Sequence, residues 1–115
     1  MRQIAIVELM TGVRRGPRPV REELKPERVQ EELRSMPDWT LLPGGKAIQS
    51  AMGFSSERAA AHFATFASAT AADLGQPVHL TLNGKTLTVK LFAPRLHGRA
   101  TPLDTGVLAF ARQIN

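Results

Sequence analysis

The chain has 115 residues, 43% of them hydrophobic, which is enough for one domain around one core; it has no cysteine, which excludes disulfides, thiolate nucleophiles and cysteine metal sites. No apolar run reaches the length that spans a bilayer, and Glu8 interrupts the short apolar N-terminal run, so no membrane role and no signal peptide is expected and a cytoplasmic location fits. The net charge is +5, of which +4 falls in the first 21 residues, where Arg2, Arg14, Arg15, Arg18 and Arg21 stand against Glu8; the rest of the chain sets ten basic groups against nine acidic ones.

In chain order, residues 3–10 can form a short strand through Ile4, Ile6 and Val7, or a docking segment. Residues 11–21 hold two glycines, two prolines and four arginines and read as a linker. Residues 1–23 are therefore taken as a basic extension and 24–115 as the folded domain. From Pro26 the run PERVQEELRSM places Val29, Leu33 and Met36 on one helical face with Leu24, and Pro37 ends it. Trp39 to Leu42 reads as a strand, Pro43-Gly44-Gly45 as a turn, and Lys46 to Phe54 as a second strand with Ile48, Ser50, Met52 and Phe54 on one side.

The longest periodic stretch is Ser55 to Gly75. Ser55 is the expected cap, and Ala59, Phe63, Phe66, Thr70 and Leu74, with Ala67 beside them, form the expected apolar stripe. Gly75 suits a left-handed helix end and Pro77 forbids continuation. Val78 to Leu82, Asn83-Gly84 and Lys85 to Ala93 spell an antiparallel hairpin with Leu80, Leu82, Leu87, Val89 and Leu91 inward. Thr101-Pro102-Leu103-Asp104 has the form of a capping box opening a last helix lined by Leu103, Val107, Phe110 and Ile114. The order is α-β-β-α-β-β-α, an α+β fold with a four-stranded antiparallel sheet and three helices packed on one face.

Chemistry-bearing residues are sparse. His62 sits at the margin of the long helix's stripe, His79 on the polar side of a strand, and His97 in a loop beside Arg95 and Arg99. No two share a local metal-ligand spacing, no serine sits in a nucleophile elbow, and Asp38, Asp73 and Asp104 read as terminators or caps. The basic arm interleaves with no aromatic, and the body is nearly neutral, so nucleic-acid binding is not expected.

Trp39, Phe54, the helix FSSERAAAHFATFASATAADLG, Pro77, the alternation Leu87-Val89-Leu91 and the pair Thr101 and Asp104 together resemble the pterin-4a-carbinolamine dehydratase family over Leu24 to Ile114. That family carries His-His-Pro after its long helix and a third histidine after its last strand. Here the positions hold Gly75-Gln76-Pro77 and Ala93-Pro94. Neither glycine, alanine nor proline transfers protons, and glutamine is no acid or base at neutral pH.

With those histidines missing and a basic arm present, the chain resembles the divergent branch of RuBisCO assembly factors of the alpha-carboxysome. That resemblance implies a non-catalytic chaperone without dehydratase activity or cofactor. It further implies a homodimer that is cytoplasmic or carboxysome-associated and binds RuBisCO through its large subunit. Arg14, Arg15 and Arg18 would steer it, with Trp39, His79, Arg95 and Arg99 as contact residues. Two alternatives stand beside this. One is a dehydratase with a rearranged site using His79 and His97 near Trp39. The other is a coactivator-type binding module.

Overall fold

Alternation along the strands decides the architecture. The computed structural model describes residues 21–95 and 98–115. Its elements are α1 (Pro26–Leu33), β1 (Thr40–Leu41), β2 (Ile48–Gly53), α2 (Glu57–Leu74), β3 (Val78–Asn83), β4 (Thr86–Leu91) and α3 (Thr105–Ile114). The strands form one antiparallel sheet in the order β1-β2-β4-β3, with the three helices on one face. The fold class is the one expected. The N-terminal strand expected through Ile4, Ile6 and Val7 lies outside the described residues.

Register sorts the side chains into cross-sheet rows. Ile48, Leu91 and Val78 face the helices together, as do Ser50, Val89 and Leu80, and then Met52, Leu87 and Leu82. The core adds Val29, Leu33, Met36, Trp39, Leu103, Val107, Leu108, Phe110 and Ile114. Arg28 and Arg112 both pair with Glu32, tying α1 to α3 at the surface. One inward residue, Ser50, is polar and 2% exposed, and its hydroxyl has no hydrogen-bond partner among the described residues. Among the described residues no helix is long and apolar enough to cross a membrane.

Several boundaries differ from expectation for identifiable reasons. α1 ends at Leu33 rather than Met36, because the next turn tightens: Arg34 and Ser35 donate to the carbonyls of Glu31 and Glu32, and Met36 to Leu33, ahead of Pro37. α2 is capped by Ser56, whose hydroxyl accepts from the Ala59 N–H at 3.0 Å, not by Ser55. Its buried face is Ala60, Ala67 and Ala71 with Phe63 and Ala64 partly covered, while Phe66 is 50% exposed and Leu74 38%. The helix lies against β3 and β4 through alanine, since small side chains let backbones approach, and the larger residues of the stripe turn outward. Gly75 ends α2 at φ 65°, the left-handed conformation expected of it.

The hairpin turn occupies Gly84 and Lys85, because Asn83 still pairs with Thr86; Gly84 supplies the positive φ of 63°. Leu82, expected in the core, is 45% exposed: it sits on edge strand β3, next to the turn. α3 starts at Thr105, after the expected capping box, with Asp104 as the cap. The preceding segment is held extended. Leu24 N–H donates to the Leu103 carbonyl, Thr105 N–H to the Glu22 carbonyl, and Glu22 N–H to the Thr105 hydroxyl. Contacts with the domain thus begin ahead of Leu24.

The centre and the edge of the second hairpin's inward face give a paired test. Val89→Ala removes fully buried methyls and is expected to cost roughly 1–3 kcal/mol, whereas Leu82→Ala is expected to cost about 0.5 kcal/mol or less. Equal losses in denaturant unfolding would show that Leu82 is packed as fully as Val89.

Candidate functional site

Past Gly75 the chain reverses and directs Gln76 inward, where it is 4% exposed. A buried amide must find partners or cost stability. The Gln76 Nε2 donates to the carbonyls of Pro77 and Phe92, both at 2.8 Å, which links the end of α2 to the end of β4. Its Oε1 accepts from Arg21 Nη2 at 3.1 Å. Two carbonyl acceptors and one cationic donor fix which way the amide points.

Arg21 reaches across to α3. Its Nη1 donates to Asp104 Oδ1 at 3.0 Å and Oδ2 at 3.3 Å. Asp104, 6% exposed, also accepts the Val107 N–H at 3.0 Å, so one carboxylate both caps α3 and balances the guanidinium. The guanidinium lies over Gly106, where an added Cβ would sit 2.7 Å from Nη1 and 2.8 Å from Cζ.

Arg21 and Gln76 border a cavity of about 510 Å³ between α3 and the end of α2, whose lining also includes Pro94, Gly106, Phe110 and Gln113. Its size suits a small heterocycle, and its wall combines an aromatic, a cation and two amides. No histidine, aspartate or glutamate is among its lining residues. What it offers is hydrogen bonding and fixed positive charge, and among the described residues no cluster of three or more His, Asp or Glu could hold a metal.

The residues singled out from sequence are placed elsewhere. Trp39 is 3% exposed, with Nε1 donating to Asn115 Oδ1 at 3.1 Å; it belongs to the core and offers no surface for a partner. His79 is exposed on the open sheet face, and with Arg95 it lines a different cavity, which Trp39 does not border. Arg99 is exposed before α3, and His62 is exposed on α2. Arg14, Arg15, Arg18 and His97 lie outside the described residues. Trp39 therefore stands apart from the cavity that His79 lines, and the His97 half of the expected rearranged site lies outside the described residues.

Arg21 and Gly106 were not foreseen. Arg21 looked like the last residue of a basic linker, and nothing local marked Gly106. Gln76 was noticed only for what it replaces. Asp104 was foreseen as a cap, and a buried cap facing a long cationic side chain is the one available hint.

A family model described as pterin 4 alpha carbinolamine dehydratase matches residues 22–115. A crystal structure described as a transcriptional coactivator/pterin dehydratase from Brucella melitensis matches with a TM-score of 0.65 at 23% identity, covering 82% of this chain and 96% of that one. At that identity the likeness concerns the fold. No curated protein sequence matches the chain.

These findings correct the functional expectation. The matched family and structure are named for dehydratase and coactivator proteins, and neither points to RuBisCO, its assembly or the carboxysome, so the chaperone reading and its RuBisCO partner are withdrawn. The expected loss of dehydratase activity is overturned as well. It rested on missing histidines, yet the match to a family named for that activity runs through the whole folded part.

Gly106→Ala separates the site from the fold. The new methyl collides with the far end of the Arg21 side chain, which can swing away, and alanine favours helix by up to about 1 kcal/mol. The helix gain is set against a Gln76 oxygen left without its donor, so the melting temperature is expected to fall by less than it does in Arg21→Ala, while the Arg21–Gln76 bond is lost, seen as a changed side-chain NMR signature of Arg21. An unchanged Arg21 signal would mean that the guanidinium does not depend on Gly106.

Proposed function

The chain belongs to the pterin 4 alpha carbinolamine dehydratase family, and from that premise we propose that it dehydrates a pterin carbinolamine in the cavity beside Arg21. In such a reaction the carbon–hydroxyl bond breaks and the electron pair of the adjacent ring nitrogen forms a C=N bond. That nitrogen releases its proton, and hydroxide and proton leave as water.

The observation that carries the reading is a guanidinium held at the cavity by two anchors, Gln76 and Asp104. A guanidinium carries five N–H donors and no acceptor, so the role of Arg21 is hydrogen-bond donation, not proton transfer. It donates to the departing oxygen as negative charge develops there, and because its anchors already hold it, little reorganisation is needed. Solvent supplies the proton to the oxygen and accepts the one from nitrogen. Gln76 has both amide hydrogens and its oxygen engaged, which makes it a positioning residue for Arg21. Phe110 offers an apolar wall for a flat ring, and Gln113 an amide donor and acceptor.

The test is stopped-flow dehydration of a 4a-hydroxytetrahydropterin. The unmodified protein is expected to exceed a heat-inactivated control. Arg21→Gln is expected to lower kcat by about 100-fold, the scale for losing one oxyanion donor, and His79→Ala to leave it unchanged. Turnover no faster than the control would end the proposal, and a rate that depends on His79 would move the chemistry to the open face of the sheet.

A further inference from the structure

The sheet face turned away from the helices carries its own pattern. None of β1, β2, β3 or β4 contains an aspartate or glutamate, although the chain from residue 22 onward sets nine acidic groups against ten basic ones. The strands' charged or chargeable residues are His79 and Lys90, and register puts them directly opposite each other, with Gln49 on the other side of Lys90. Neither offers the other a counter-charge, and a cation facing a second donor across a strand pair gains nothing from its neighbour.

At the end of this row lies a cavity of about 480 Å³, its lining including Lys46, His79, Lys90 and Arg95 together with Pro43 and Phe92. No carboxylate lines it. Among the described residues Lys46, Lys90 and Arg95 make no ion pair, and the polar contact of the Arg95 side chain is a 3.4 Å bond to the Gly98 carbonyl. Elsewhere Arg21 is matched by Asp104, Arg28 by Glu31 and Glu32, and Arg112 by Glu32, while Lys25, Arg34, Arg58, Lys85 and Arg99 also make no ion pair among the described residues; what sets Lys46, Lys90 and Arg95 apart is that they line one cavity. Three cations converge on one concave surface without a counter-ion, next to an apolar wall.

We infer that this cavity binds a small organic phosphate monoester, with the phosphate among Lys46, Lys90 and Arg95 and the organic body against Phe92. Two ammonium groups and a guanidinium match a dianion with several acceptor oxygens, and His79 adds a further ring-nitrogen donor at the rim. A volume of this size exceeds what a bare phosphate fills, and Phe92 and Pro43 favour a ligand with an apolar part. A nucleic-acid strand fits less well: base stacking needs successive aromatics, and Phe92 is the one aromatic residue of this cavity.

The test titrates phenyl phosphate into isotopically labelled full-length protein at fixed ionic strength, with inorganic phosphate, phenol and a single-stranded oligonucleotide as separate arms. Saturable amide shifts are expected at Lys46, His79, Lys90 and Phe92, with phenyl phosphate binding about ten-fold tighter than inorganic phosphate and phenol showing no saturation. The pair Lys90→Gln with Arg95→Gln, and separately Lys46→Gln, are expected to weaken binding by about ten-fold or more without moving the melting temperature. Shifts that fail to saturate, affinity unchanged in both variants, or an oligonucleotide binding these residues more tightly than phenyl phosphate would each overturn the inference.

Discussion

One guanidinium holds together three parts of the chain that are remote in sequence. Arg21 lies 55 residues from Gln76 and 83 from Asp104, yet it bonds to both. Each partner is nearly enclosed, and a buried amide oxygen or carboxylate left alone would cost more than an ordinary contact returns. The same carboxylate caps α3 and the same amide crosses from α2 to β4, so the cation's position fixes how the cavity's walls meet. Removing one member strands the others, which is why the trio acts as a unit. Gly106 is part of the arrangement by having no side chain.

The strands and helices could be read because their physical causes are local. Alternation along Leu87, Val89 and Leu91 requires an inward face, and Gly75 before Pro77 requires a helix to stop. What could not be read depended on distance. The face of α2 is chosen by how closely it approaches β3 and β4, and that choice favours Ala60, Ala67 and Ala71 over the larger Phe66 and Leu74. The start of α3 is set by backbone bonds to Glu22 and Leu24, more than 75 residues upstream. The candidate site was the least legible part. Its cation comes from a stretch whose composition looks like linker, and a long-range ion pair leaves no periodic trace.

The functional error has a related physical origin. Counting missing imidazoles treats catalysis as proton transfer by particular side chains. A cavity can also act through fixed charge placed where charge develops, and the residues that fix it need not titrate. Gly75, Gln76 and Ala93 argue against the family's histidine chemistry in this chain. They say nothing against an arginine held in place by the glutamine that occupies one of those positions. Family membership and the substituted positions are compatible once the site is described by what Gln76 holds rather than by what it replaces.

The central position of β4 bears on how the chain is made. β4 pairs on one side with β2 and on the other with β3, so four strands become one sheet only when this late segment joins. During synthesis β1, β2 and α2 leave the ribosome before it, and β2 must wait with its inner edge unpaired while 32 residues, from Phe54 to Lys85, are added between its end and the start of β4. At ordinary elongation rates that wait lasts on the order of seconds, long compared with hairpin closure. The nascent chain's exposure to misassembly is therefore set by the pace of translation across α2 and β3. Faster translation across α2 and β3 would shorten the interval in which that edge is open to other chains.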